Sequence, residues 1–154
     1  MRRKEKDASD IEQIEEIIRK ADVCRIALAN GNIPYIVTMN FGYTGVPDQK
    51  LYFHCAAQGR KLEMIKNNNW VCFEMDVDHQ LYGGIKGCDL GMKFSSVVGY
   101  GNISIITEKE EVRTGLNFIM SHYAGEMEYS FDEKLIEKTT ILRLDIVGMT
   151  GKKC

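Results

Sequence analysis

The richest chemistry in the sequence lies in Leu51-Tyr52-Phe53-His54-Cys55-Ala56-Ala57-Gln58-Gly59-Arg60-Lys61, which runs from an aromatic stretch through an imidazole and a thiol to a glycine and two cations. Leu51 to Phe53 suit a strand, whereas Leu62 and Ile65 have the spacing of a helix face. Arg60 and Lys61 then open that helix, where free N–H groups and the macrodipole already favour negative charge. Cations there oppose the dipole, and a bound phosphate would resolve the conflict. A solvated basic turn is the plainer alternative, because G-R-K recurs by chance. An imidazole suits proton donation near neutrality, so His54 is a candidate acid. His54 and Cys55 cannot easily form one dyad, since neighbours in a strand point to opposite faces.

Other catalytic arrangements are absent: there is no G-x-S-x-G turn, no P-loop and no G-x-G-x-x-G after a strand. The five cysteines (24, 55, 72, 88, 154) include no C-x-x-C pair, and with the histidines at 54, 79 and 122 they lack the short-range pairing of a zinc site, so no metal is expected. An odd number of cysteines without an export signal points to free thiols in a reducing cytoplasm. The net charge of −2 provides no field to gather nucleic acid. The basic opening Met1 to Lys6 is followed by no apolar run, so neither a signal peptide nor a membrane anchor is expected. With 154 residues, 44% of them apolar and 27% charged, the chain reads as one globular domain, 1–154.

The elements that must position these residues follow from periodicity. Ser9 and Glu12 form a capping-box pattern, after which Ile11, Ile14, Ile18 and Ala21 mark a helix face. Val23 to Ala29 is a strand, Asn30-Gly31-Asn32 a tight turn, and Ile33 to Phe41 the returning strand. Arg25 sits in an otherwise apolar strand and needs solvent or a partner anion. Trp70 to Val77 is a further strand, and the glycine-bearing stretch Asp78 to Met92 a long loop. Phe94 to Thr107 is a long strand with Gly99 and Gly101 bare on one face, which invites a bulge, a barrel bend or the approach of a flat ligand. Glu108 to Tyr123 is a helix bearing Val112, Leu116, Ile119, Met120 and Tyr123 on one face; a short helical piece lies near Asp132 to Glu137, and Thr140 to Val147 is the last strand. Residues 1–8 and 149–154 are expected to fray. The fold class is α+β, mainly antiparallel, most economically a small barrel with flanking helices.

Polar groups accumulate over four strands: Arg25, Asn40, His54 with Arg60 and Lys61, and Ser95 with Ser96. They suit an elongated ligand with an anionic end and a flat polar ring. A small barrel cannot hold such a ligand alone, but a dimer groove can.

The segments Arg25 to Leu28, Pro34 to Phe41, Leu51 to Ala56, Gly59-Arg60-Lys61 and Ser95 to Gly101, in that order and with Cys88 ahead of the last, resemble the motifs of the pyridoxamine 5′-phosphate oxidase-like flavoproteins, and within them the nitroimidazole-resistance (Nim-type) group. The resemblance covers roughly residues 1 to 148. It implies an FMN-binding split β-barrel, a homodimer with FMN at the interface, and reduction of small molecules such as nitroimidazoles with NAD(P)H as electron donor. Arg25, Ile26, Ala27 and Leu28, then Val37, Thr38, Met39 and Asn40, then His54, Cys55 and Ala56 would line the flavin. Gly59, Arg60 and Lys61 would hold its phosphate, and Ser95, Ser96 and Val97 would approach the ring or ribityl chain. His54 would donate protons or only orient the flavin. A flavin-binding or redox-sensing module without catalysis, and a haem-binding split barrel, are the alternatives. The oxidases carry a C-terminal segment with Arg and His that Thr150 to Cys154 does not show, which argues against vitamin B6 synthesis, and an Arg-Gln pair where this chain has Ser95-Ser96.

Overall fold

Helix α1 (Ile11–Lys20) begins the computed structural model, which describes residues 10–127 and 129–154. Ser9, the expected cap, lies outside the described residues; the cap observed is Asp10, whose carboxylate accepts the Glu12 N–H at 3.1 Å. The face of α1 that packs is Ile14, Ile17, Ile18 and Ala21, while Ile11 is largely exposed. Ile17 thus replaces Ile11 in the expected stripe, because positions 14, 17, 18 and 21 are the ones that helical spacing stacks over the sheet.

Seven antiparallel strands follow: β1 (Cys24–Asn30), β2 (Ile33–Met39), β3 (Gly42–Tyr43), β4 (Lys50–Cys55), β5 (Trp70–Tyr82), β6 (Gly91–Ile106) and β7 (Thr140–Lys153), ordered β2-β1-β5-β6-β7-β4-β3. Helices α2 (Arg60–Asn67), α3 (Lys109–Ala124) and α4 (Glu133–Lys138) complete a split β-barrel with flanking helices, the fold class expected. The β1–β2 turn is tight because Gly31, the first of its two central residues, takes a φ of 58°, which glycine adopts readily.

Two expectations need correction. Asp78 to Met92 is not all loop, since β5 and β6 continue into it and pair Gln80 with Lys93, Leu81 with Met92 and Tyr82 with Gly91. The tail does not fray: β7 runs to Lys153, and Gly148 to Lys153 pair with Tyr100 to Ser95 on β6.

The described residues form two apolar cores. Inside the barrel Phe53, Phe73, Met75, Val97, Leu142 and Leu144 meet α1 and the Leu62/Met64/Ile65 face of α2. Outside it, Val112, Leu116 and Ile119 of α3 and Ile136 of α4 cover Tyr52 and Ile141. Gly99 and Gly101 answer the question their spacing poses, and the answer is packing: both are buried. A Cβ on Gly99 would stand 2.4 Å from the Phe73 ring, and one on Gly101 2.2 Å from the Asp145 carbonyl oxygen. The β6–β7 register also slips between Tyr100 and Gly101, so a bulge accompanies the bare position. Gly101→Ala should therefore force backbone apart. A loss of about 2 kcal/mol is expected from overpacking, which at this length lowers the thermal midpoint by about 6 °C. A midpoint within 1 °C of the parent, taking about that as the error of the measurement, would rule out the close contact.

Candidate functional site

The end of β2, the end of β4 and the first turn of α2 converge on an open groove of about 530 Å³, lined by Val23, Val37, Thr38, Met39, Asn40, His54 and Lys61. Six of these residues are ones the sequence singles out: Val37 to Asn40, His54 and Lys61. Val23 was missed, since as a strand residue it carries no chemical signal. Along β2 the side chains alternate, so Tyr35, Val37 and Met39 lean on the core while Thr38 and Asn40 reach solvent. His54 is exposed, whereas Cys55 turns inward and packs on the core. Burial pushes the Cys55 thiol up, only partly offset by the nearby Lys61 cation, so it is a poor thiolate at neutral pH.

The start of α2 differs from those of α1, α3 and α4. Asp10, Glu108 and Asp132 place side-chain carboxylates on the opening N–H groups of α1, α3 and α4. Gly59 caps α2 with no side chain and a φ of 140°, a conformation that favours glycine, and space for a Cβ there is open. The first turn of α2 therefore offers free N–H donors beside Lys61. Arg60 lies over the Tyr35 ring at 4.7 Å and borders a neighbouring hollow with Asn30, Ile33 and Glu63.

Other expected site residues fall elsewhere. The side chains of Ile26, Leu28 and Val97 are core residues, so only their backbone faces outward. Ser95 is buried, on the side of the strand that faces α1. Ser96 points to the outer face opposite Asp76, with β1 and β5 between it and β2, which ends just before Asn40, about 14 Å away at ordinary strand spacing. Ala27 lies half-buried on the same outer face, and Ala56 is exposed between His54 and Gly59. Arg25 has found a protein anion: its Nη1 donates to Glu74 Oε2 at 3.0 Å and to Asp76 Oδ1, and these carboxylates hold the guanidinium firmly protonated. It lines a separate compartment adjoining the groove at Val23.

The β1–β2 side of the groove is tied to α3. The Tyr123 hydroxyl donates to the Asp22 carbonyl at 2.6 Å and accepts the Phe41 N–H at 3.2 Å, beside Val23 and Asn40 respectively. His122 Nε2 lies 2.7 Å from the Ala21 carbonyl, so that nitrogen carries the proton, and its ring packs 4.3 Å from Phe41. A further cavity, of about 560 Å³, lies between α1, α3 and the loop after β3. There Glu15 accepts from the Tyr43 hydroxyl and the Val46 N–H, and burial, reinforced by Glu15, lifts Tyr43 to about 12. Glu15, Tyr43 and Thr44 are engaged in holding that loop. Among the described residues no three His, Cys, Asp or Glu side chains gather to hold a metal ion, and no helix is long and apolar enough to cross a membrane.

Comparison with known proteins places the fold. No curated protein matches the chain in sequence. The family model described as pyridoxamine 5′-phosphate oxidase matches residues 10–153. A candidate 5-nitroimidazole antibiotic resistance protein from Bacteroides thetaiotaomicron VPI-5482 superposes with a TM-score of 0.83 at 32% identity, covering 96% of this chain and 86% of that one. The flavocytochrome Anf3 from Azotobacter vinelandii shares the fold at 17% identity (TM-score 0.80; 96% and 69% covered). The FAD- and haem-binding protein from Mycobacterium smegmatis shares it at 15% identity (TM-score 0.83; 96% and 73% covered). With a family model matched from residue 10 to residue 153 and a solved relative 32% identical over nearly the whole fold, this chain belongs to the pyridoxamine 5′-phosphate oxidase family.

Proposed function

We propose that this protein is an FMN-dependent reductase of small molecules, nitroimidazole-type aromatics among them, working as a homodimer. The observation that carries the reading is the groove itself. It combines an apolar wall from Val37 and Met39, polar groups from Thr38, Asn40 and His54, and a cation at the N-terminus of α2, whose first turn no side chain caps. That donor set fits a phosphate at one end and a flat heterocycle along the wall. Lys61 and the free N–H groups of α2 would hold the phosphate. Arg60 reaches it by leaving the Tyr35 ring, and until then the ring keeps the guanidinium beside the site. Bound FMN would supply the two-electron chemistry, with NAD(P)H as the source of electrons. The chain's own part is to orient the ring and to present an imidazole at its edge. His54 is exposed on the groove and free of protein hydrogen bonds among the described residues, so it can face a substrate and hand it a proton.

The dimer reading rests on the outer face of the sheet. The registers align Ile36, Ala27, Cys72 and Tyr100 in one row across β2, β1, β5 and β6. Ile36 is 64% exposed and Tyr100 48%, and Tyr100 stacks on the half-exposed Trp70. An apolar row in the middle of a sheet is the kind of surface that a second copy covers. The groove is open, and a partner seated on this face would help to close it.

Purified protein loaded with FMN should show a flavin spectrum that NADH or NADPH bleaches and a nitroimidazole restores. A Soret band, or failure to take up FMN, would overturn the reading. Lys61→Ala should weaken FMN binding about 10- to 100-fold, the loss of one charge-assisted phosphate contact, measured by quenching of flavin fluorescence. Unchanged affinity would remove Lys61 from the phosphate site. Sedimentation should give twice the chain mass, and Tyr100→Lys should shift it towards monomer. A wild-type monomer with flavin bound would contradict the dimer.

A further inference from the structure

Beside the groove, and sharing Val23 with it, is a second compartment of about 570 Å³. A break in strand geometry builds it. In a regular strand Asp76 and His79 would face opposite sides of the sheet. The β5–β6 register shifts between Val77 and Gln80, and Asp78 there adopts a φ of 58°, a left-handed conformation that Asp tolerates better than most residues. A bulge re-aims the side chains that follow it, and it brings His79 Nε2 to 2.6 Å from Asp76 Oδ2. The other oxygen of Asp76 accepts from Arg25 Nη1, and the Phe94 ring lies nearly parallel to His79 at 6.2 Å. One carboxylate thus fixes an arginine and a histidine in the same compartment.

The arginine has capacity left. Arg25 engages both Glu74 and Asp76 through Nη1, while its Nε–H and Nη2–H make no hydrogen bond to a described residue. Those two groups form the parallel-donor edge of a guanidinium, the edge that matches a planar pair of oxygens. The surrounding charge selects among such pairs. The lining carries Asp22, Asp76 and Asp78 against Lys20 and Arg25, three carboxylates to two cations, and Lys20 is already held by Glu16 at 2.8 Å and Asp78 at 3.2 Å. A carboxylate ligand meets net repulsion here. A nitro group offers two oxygens at similar spacing with no net charge.

We propose that this compartment is a substrate subsite, in which the Nε–Nη2 edge of Arg25, held by Asp76, takes the nitro group of a neutral nitroaromatic whose ring lies in the groove. The inference rests on the reductase reading for the ring's position, and it assigns Arg25 to substrate where the family resemblance assigns it to the flavin. His79 closes the compartment on the far side of Asp76.

The test titrates full-length protein, with and without FMN, with three matched probes: 4-nitrobenzyl alcohol, 4-(hydroxymethyl)benzoate and benzyl alcohol. Calorimetry gives the affinities, and NMR follows the His79 ring signals. The nitro probe should bind at least about tenfold more tightly than the others and shift His79, in keeping with a bidentate arginine contact. Arg25→Lys keeps a cation for Asp76 but loses the fork, so it should lose that preference while its FMN affinity stays within about threefold. His79→Ala, which removes the imidazole that fixes Asp76 beside Arg25, should weaken the nitro probe about threefold or more, about the worth of one modest hydrogen bond, and carries the test if Arg25→Lys does not fold. Equal binding of the three probes, preference for the carboxylate, or undiminished nitro binding in Arg25→Lys would overturn the subsite. Failure of wild-type protein to bind FMN would instead overturn the reductase reading, since the probe preference is also measured without flavin.

Discussion

The approach of three strands at Gly99 and Gly101 is the constraint on which the rest of the structure depends. The Phe73 ring occupies the space above Gly99, and the Asp145 carbonyl of β7 occupies the space beside Gly101. A side chain at either point would push β5 or β7 away from β6 and open the barrel at its centre. Because both positions are bare, β6 pairs along its length with β5 on one side and β7 on the other. The bulge at Tyr100/Gly101 lets β7 change partners as it runs. Thr140 pairs with β4, Ile141 to Asp145 with both β4 and β6, and the later paired residues with β6 alone. The position of β4, and with it His54 at one end of the groove, is thus set from the barrel's centre.

Local signals were enough to locate most of the fold. The Asn30-Gly31-Asn32 turn, the Leu62/Ile65 face of α2 and the acidic start of α3 each encode their structure within a few residues, and each appears close to where periodicity puts it. The errors share a different cause. Glycines at 83, 84, 87 and 91 and the Gly148–Gly151 tail look like breakers in isolation, yet Gly91 and the tail are strand because a partner strand supplies their hydrogen bonds. Pairing between residues 80 and 93, or 95 and 153, leaves no periodic trace in either segment alone. Local propensity yields where a ladder is available.

The candidate site divides in the same way. Val37 to Asn40, His54 and Lys61 were legible because alternation gave their faces and because cations at a helix start conflict with the dipole. Arg25 posed the right question, solvent or an anion, but its answer lies on β5, in Glu74 and Asp76, 49 and 51 residues later. His79 was invisible as a partner of Asp76, since the spacing of three is wrong for a strand and only the bulge makes it right. Ile26, Leu28 and Val97 were named through the family's contiguous motifs. In a strand every second residue of such a motif belongs to the core.

The groove also depends on a helix outside the barrel core. Helix α3 packs its apolar face on Tyr52 and Ile141, yet its last turn reaches across to the junction where α1 passes into β1 and to the end of β2. One hydroxyl, that of Tyr123, bridges the Asp22 carbonyl and the Phe41 N–H, so the two chain segments that carry Val23 and Asn40 are held by a single atom. Neither segment lies within a strand there, and without Tyr123 the buried Phe41 would lose the partner of its N–H. His122 adds a bond one residue earlier, at Ala21, and covers Phe41 with its ring. The β1–β2 side of the groove is therefore held by side chains of α3 as well as by β pairing. Val23 is also the wall shared with the second compartment, so displacement of the last turn of α3 would alter both spaces together.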